Sequence, residues 1–304
     1  MSATANYTTT GFLASVKRRV MLATQTETFD DADILAIATE ELQSYVFPFL
    51  MSVREEYAVA SVDIAFTSAT AFYELPELAA GDKARDILIQ RDGKYWQLDR
   101  IEPERIQDHP ATDNQPYGFA FIGSKIQLIP APQTSGVVRI KYLHRPGWLI
   151  PIASAAAITS VSGTTVGLSA NLPNSALNSR ISVVSGRSPY YTIGSGTIAT
   201  NTSPTSKVLS FDAQVAGAEV GDYLCYIGES PIPQVPVELH PLLVARTVYA
   251  MYVAQGDGRA AEAKENCDRL QRSLLTVLTP RSEGNARYVI NRHGPGWRNP
   301  SWRA

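Results

Sequence analysis

The strongest constraint on this chain lies between Val237 and Thr279, where two helical patterns meet at a glycine turn. Leu239, Leu242, Leu243, Val248, Tyr249, Tyr252 and Val253 give the first segment a broad apolar surface rather than a thin stripe. Gly256-Asp257-Gly258 interrupts that pattern, as glycine punctuation does. Ala260, Ala263, Cys267, Leu270, Leu274 and Leu278 then recur at alternating steps of three and four, which is one face of an amphipathic helix. Pro280 ends it. Two helices joined so tightly form an antiparallel pair. Such a pair cannot hide both apolar faces by itself, so it needs a partner from elsewhere in the chain.

Residues 28–58 supply one. Thr28 and Asp30 are N-cap candidates, and Asp31 and Asp33 stand in the first turn, where the helix dipole favours acid. Ile34, Ala38, Leu42, Tyr45, Phe49, Val53 and Tyr57 follow at helical spacing. Pro48 falls inside the pattern and predicts a kink or restart, because it removes a hydrogen bond and crowds the preceding turn. Gly11–Leu22 reads as a shorter amphipathic helix ending in Lys17-Arg18-Arg19, a solvated face or a phosphate or partner contact. The expected fold is therefore α+β: a small helical bundle built from N- and C-terminal helices, with inserted antiparallel β-domains and an extended C-terminal arm.

Between the helical ends the pattern turns to strands. Alternation begins at Val59 and recurs in Asp86–Arg91, Tyr95–Leu98, Gly118–Ile122, Lys125–Ile129 and Val137–Leu143, with Arg91-Asp92-Gly93-Lys94 as a hairpin turn. Residues 151–236 are richer in Ser, Thr and Gly and poorer in charge. There ITSVSGTTVGLS reads as a hairpin, Ile181–Val184, Tyr190–Ile193, Lys207–Phe211 and Asp222–Ile227 as further strands, and the set as a small barrel or sandwich. Pro231, Pro233 and Pro236 mark a connector. The expected divisions are 1–58, 59–150, 151–236, 237–279 and 280–304.

The last division reads RSEGNARYVINRHGPGWRNPSWRA from Arg281. Arg281, Arg287, Arg292, Arg298 and Arg303 stand against Glu283 alone, with Tyr288, Trp297 and Trp302 interleaved. Trp and Arg are the anchors that interfaces prefer. Its glycines and prolines forbid a long helix, so this arm is either disordered or docked on another molecule. The whole chain carries a formal charge of only -2, which removes a general electrostatic case for gripping nucleic acid. No apolar run approaches the ~18 residues of a membrane span, and the start lacks the order of a signal peptide, so assembly in a cytoplasm is expected.

Catalytic patterns are scarce. His109, His144, His240 and His293 are isolated in sequence, and no paired metal spacing or nucleophile elbow is present. Cys225 and Cys267 read as buried free thiols. Gly186-Arg187-Ser188 and Gly194-Ser195-Gly196 read as turns, Glu102, Glu104 and Asp108 as a solvated loop, and Glu55-Glu56 as a surface helix face. Arg246, inside an apolar helical run, is expected either to pair with an acid across the bundle or to enter a subunit interface.

The segments DDADILAIATEELQSYVFPFLMSVREEYAV, IKYLHRPGWLIP, ITSVSGTTVGLS and ELHPLLVARTVYAMYVAQGD, with the ending LTPRSEG, resemble the head–tail adaptor (connector, neck) proteins of tailed bacteriophages and gene transfer agents. The resemblance covers most of the chain and rests on structural rather than catalytic motifs. It implies a virion structural protein, not an enzyme, forming an oligomeric ring, commonly a dodecamer, below the portal vertex. Such a ring extends the channel through which DNA passes and docks the tail or a further neck protein. No cofactor or metal is implied, and no membrane. Family members often reach the portal with a C-terminal segment. The residues here in that position are Arg281, Arg287, Tyr288, Ile290, Arg292, Trp297, Arg298, Trp302 and Arg303; Arg246, Tyr249 and Tyr252 are the candidates for a subunit interface. The alternative reading is a tail-associated carbohydrate or cell-surface binding module, motivated by Tyr190, Tyr191 and Tyr226. A wall-degrading enzyme would need a carboxylate pair that the sequence does not display.

Overall fold

A computed structural model describes residues 7–20, 29–68, 70–108, 115–172, 178–188, 190–200, 207–212 and 217–278. Helix α1 spans Thr9–Val20 and α2 spans Asp31–Glu41. The Asp30 carboxylate accepts from the Asp33 N–H at 2.7 Å and the Asp33 carboxylate from the Asp30 N–H at 3.2 Å, a reciprocal cap that fixes where α2 starts. Beyond Glu41 the chain stays helical through a π turn, Leu42–Val46, into α3, Phe47–Arg54. Pro48 has no N–H to donate, and its ring crowds the carbonyl four residues back, at Ser44. Ser44 lies in the widened turn, which lets the helix continue past the proline.

The C-terminal helices are α4, His240–Gln255, and α5, Ala260–Leu278. Gly256, at φ 67°, takes the left-handed position that closes α4, and the Asp257 N–H bonds the Tyr252 carbonyl at 2.9 Å. Helix α4 packs against α1, α2 and α5 together. Leu242, Leu243, Val244, Ala245, Val248 and Met251 are all buried, as expected for a helix apolar nearly all round.

Eight strands follow the N-terminal helices: β1 (Val59–Phe66), β2 (Phe72–Glu74), β3 (Ala79–Arg91), β4 (Lys94–Gln97), β5 (Asp99–Arg100), β6 (Gly118–Ile122), β7 (Lys125–Ile129) and β8 (Gly136–His144). They form two four-stranded sheets, ordered β1-β8-β3-β4 and β2-β7-β6-β5. Ile87, Ile89, Val138 and Ile140 of the first meet Phe119, Ile126 and Leu128 of the second in one core, so the two sheets make a sandwich. The β3–β4 turn has Asp92 at φ 49° and Gly93 at φ 75°, the pairing a two-residue hairpin requires.

After β9 (Trp148–Leu149), six strands close into a barrel: β10 (Ala156–Ser162), β11 (Thr165–Leu168), β12 (Arg180–Val184), β13 (Thr192–Thr200), β14 (Val208–Phe211) and β15 (Tyr223–Tyr226), in the order β10-β11-β14-β13-β12-β15. Ile158, Val166, Ile181, Ile198, Phe211 and Leu224 fill it. Residues 194–196, read from sequence as a turn, are ladder residues of β13 paired to β12; small side chains there mark a strand rather than a loop. Strand β16 (Glu229–Ser230) returns beside β9 in parallel.

The expectation of a small helical bundle with β-domains inserted into it does not hold. The molecule is mixed α+β and mostly β, with several sheets and a barrel among the described residues. The helices form one layer whose core includes Leu149 of β9 and Val235 of the connector. The Leu149 N–H donates to Thr39 Oγ1 at 3.1 Å, the Gln43 side-chain amide to the Pro146 carbonyl at 3.0 Å, and the Thr9 N–H to the Pro231 carbonyl at 2.9 Å. Periodicity shows which side of a helix is dry, not what dries it. No described helix is long and apolar enough to cross a membrane.

Gly147 marks the tightest point of the β9–β16 junction. A Cβ there would lie 2.7 Å from the Gly228 carbonyl oxygen and 3.0 Å from its carbon. Gly147→Ala should cost about 1–3 kcal/mol in urea unfolding, because backbone and not a side-chain tip must give way. Gly258→Ala, with nothing within 4 Å of its Cβ, should be neutral or slightly stabilising.

Candidate functional site

Arg246 projects from the middle of α4 toward the end of α2. Its Nε lies 2.8 Å from Glu41 Oε2, and the two side chains are 17% and 15% exposed. The guanidinium carbon sits 3.8 Å above the Tyr45 ring and 5.2 Å from the Tyr249 ring. The Tyr45 hydroxyl in turn donates to Gln271 Oε1 on α5. The π turn that holds Tyr45 thereby meets α4 and α5 at one polar cluster, with charge, hydrogen bonding and stacking converging on one guanidinium.

Beside this cluster a cleft of about 480 Å³ opens between the end of α1 and the α4–α5 turn. Ala245, Val248 and Tyr252 give it apolar walls, and Arg19, Arg259 and Arg269 with Glu262 and Glu265 add charge. Tyr252 is 5% exposed and lies under the Arg259 guanidinium at 4.6 Å. Arg259 also binds Asp257 at 2.6 Å, and those hydrogen bonds hold the Asp257 carboxyl below its ordinary range. Three arginines over apolar ground can take a carboxylate next to an apolar group, the chemistry of a protein side-chain contact. Among the described residues no three His, Cys, Asp or Glu side chains converge to hold a metal.

A second polar cluster lies where the sandwich, the barrel and the helical layer meet. His144, at the end of β8, is fully buried and stacks on Tyr191 at 5.3 Å between ring centres. Among the described residues neither of its ring nitrogens, nor the buried Tyr191 hydroxyl, has a well-formed hydrogen-bond partner. Burial, with Arg145 nearby, pushes the His144 pKa down to about 4. His240 is buried at the start of α4 between Tyr7, edge-on at 5.2 Å, and Tyr190 at 5.7 Å. Burial takes it down to about 4 as well, against the opposing pull of the Val235 and Pro233 carbonyls.

Of the sequence-predicted site residues, Arg246 pairs with an acid within its own chain, Tyr249 flanks it half-buried, and Tyr252 forms the cleft's wall. Arg281, Arg287, Tyr288, Ile290, Arg292, Trp297, Arg298, Trp302 and Arg303 lie outside the described residues, as do His109 and His293. Arg19 of the basic triplet lines the cleft, while Lys17 pairs with Asp31. Glu55 pairs with Arg85 at 2.8 Å and Glu102 with Arg105 at 3.9 Å, both on the surface. Cys225 and Cys267 are buried free thiols, pushed up by burial to about 12 and about 11. Tyr190 and Tyr191 turn inward instead of forming a surface patch. Sequence reasoning missed Glu41 as the partner of Arg246; the available signal was an acid at the end of one predicted helix facing an arginine inside another. No protein-family model and no curated protein sequence matches this chain.

Two outcomes follow from this geometry. Arg246→Ala strands Glu41 in a mostly dry site and should cost about 3 kcal/mol in denaturant unfolding. Arg246→Lys, which keeps the charge but not the stack, should fall between; a loss below about 0.5 kcal/mol for the alanine variant would mark the pair as an ordinary surface one. The histidines set the acid limit. Both are neutral in the fold and titrate near 6.5 when free, so stability is complete above pH 6.5 and declines as the pH falls toward 4. By pH 4 each should have withdrawn roughly 3 kcal/mol. Unfolding curves for His144→Phe across that window should show a visibly shallower decline than the parent.

Proposed function

We propose that this chain is a structural, non-enzymatic head–tail adaptor of a tailed bacteriophage or related gene transfer agent. Copies assemble in the host cytoplasm and form a ring, dodecameric as the resemblance implies, below the portal vertex of the virion. The ring extends the DNA channel and docks the tail or a further neck protein, while the arm from Arg281 to Ala304 binds the portal. The carrying observation is how α5 ends. Leu275 and Val277, 40% and 60% exposed on its last turns, lead directly into the arm of arginines and tryptophans. Apolar side chains left in water, followed in sequence by such anchors, are the composition of a protein contact. A net charge of -2 also suits a channel that lets DNA pass without holding its phosphates. The carbohydrate-binding alternative loses most of its motivation, because Tyr190 is buried and Tyr191 is partly buried against His144.

The test is portal binding. The full chain should bind purified portal protein in a pull-down and by calorimetry. Truncation after Leu278 should abolish binding without altering the circular dichroism of the remainder, and Trp297→Ala with Trp302→Ala should weaken it at least tenfold. A truncated chain that binds portal as well as the parent would overturn the assignment of the arm.

A further inference from the structure

The barrel closes on itself, but the sheet β1-β8-β3-β4 keeps two open edges. The Val59 N–H at the start of β1 bonds the Glu56 carbonyl, and among the described residues no other strand pairs with β1 beyond β8 or with β4 beyond β3. Strand β1 is eight residues long and contains neither proline nor lysine, two of the usual means of blocking an edge.

The two edges match. Each step across the sheet is antiparallel, so β1 and β4, three steps apart, run in opposite directions. A β4 edge from another copy, added beside β1 in the same orientation, continues the alternation unbroken. The faces match as well. Ile64 pairs with Val138, Val138 with Ile89, and Ile89 with Trp96, placing four apolar residues in one row on the core side. The middle two are buried, whereas Trp96 at one edge is 57% exposed and Ile64 at the other only partly buried. The charges agree too. Glu56 lies exposed just before β1, and Arg100 lies exposed on β5, two residues past the crossing at Leu98 and 5.5 Å from the Phe121 ring. Antiparallel addition brings the start of β1 beside the end of β4.

We propose that a second copy of this chain is the occupant: the β4 edge of one subunit pairs with the β1 edge of the next, Trp96 covering Val62 and Ile64, and Arg100 facing Glu56. This deepens the ring reading and rests on it. The contact is head-to-tail, the kind that closes into a ring when its rotation permits. Pairing β1 with β1 about a two-fold axis would also be antiparallel, but it would stop at two copies and leave both Trp96 side chains in water.

The experiment mixes two full-length single variants, Ser61→Cys on β1 and Gln97→Cys on β4, with a short bis-maleimide. The native cysteines are buried and do not compete. Mixed Ser61→Cys/Gln97→Cys dimers are expected, with little product from either variant alone. Trp96→Lys, at an exposed position, should retain the circular dichroism of the parent and lose higher oligomers in light scattering. Arg100→Glu should weaken assembly at least tenfold, and adding Glu56→Arg to the same chain should restore it. Ser61→Cys homodimers would assign the edge to a two-fold pair and overturn the proposal. Oligomers that form without the mixed cross-link and ignore Trp96→Lys would overturn it while leaving the ring reading standing. A chain that neither cross-links nor oligomerises overturns it as well, and the ring reading then falls or stands on the number of copies in an assembled particle.

Discussion

Helix α4 is dry along most of its length, and the molecule is arranged to keep it so. Each large apolar side chain removed from water contributes about 1.5–3 kcal/mol, and α4 buries Leu242, Leu243, Val244, Val248 and Met251 in a single core. That demand needs α1, α2 and α5 at once, and it draws in Leu149 from a strand and Val235 from the connector. Arg246 is the one charged side chain on this helix. It is tolerated because Glu41 neutralises it and Tyr45 covers its flat face, so the polar residue adds orientation where an apolar one would add only area.

The β parts answer a different constraint, the disposal of sheet edges. The barrel disposes of them by closure. The sandwich instead passes its chain from one sheet to the other at Leu98, whose N–H still bonds Ile87 in the first sheet while Asp99 already pairs in the second. That leaves β1 and β4 open. Between barrel and sandwich stand the short β9–β16 pair and the stacked rings of His144 and Tyr191. This junction is built from close backbone approach and unpaired buried polar atoms rather than from a large apolar core. The helical layer and the barrel each have a large core of their own; the seam between the strand regions does not.

What the sequence made readable was short in range. Gly118–Ile122 and Lys125–Ile129 are the observed strands residue for residue, because alternation and a glycine turn act over a few neighbours. The six strands of the second β-region close as a barrel, one of the two forms their number and spacing allowed. The end of α4 followed from Gly256. The relations that place these pieces were not readable. Strands β9 and β16 have two residues each and carry no periodicity. Glu41 looks like any acid at a helix end until the π turn at Leu42–Val46 brings Tyr45 over Arg246. Tyr190 and Tyr191 sit in a Ser- and Gly-rich stretch that reads as surface, yet their partners, His240 and His144, arrive from distant parts of the chain. Helical periodicity likewise exaggerated the weight of the helices, since it reports a dry face without saying how much of the remaining chain is sheet.

The central claim is that copies of this chain form the ring joining head to tail. The most direct measurement is an electron-microscopic reconstruction of an assembled particle with the chain labelled at its N-terminus. The account predicts one closed, dodecameric ring of label directly below the portal, with the arm directed toward it. Label on fibres or distal tail structures, or a chain absent from the neck, would contradict it.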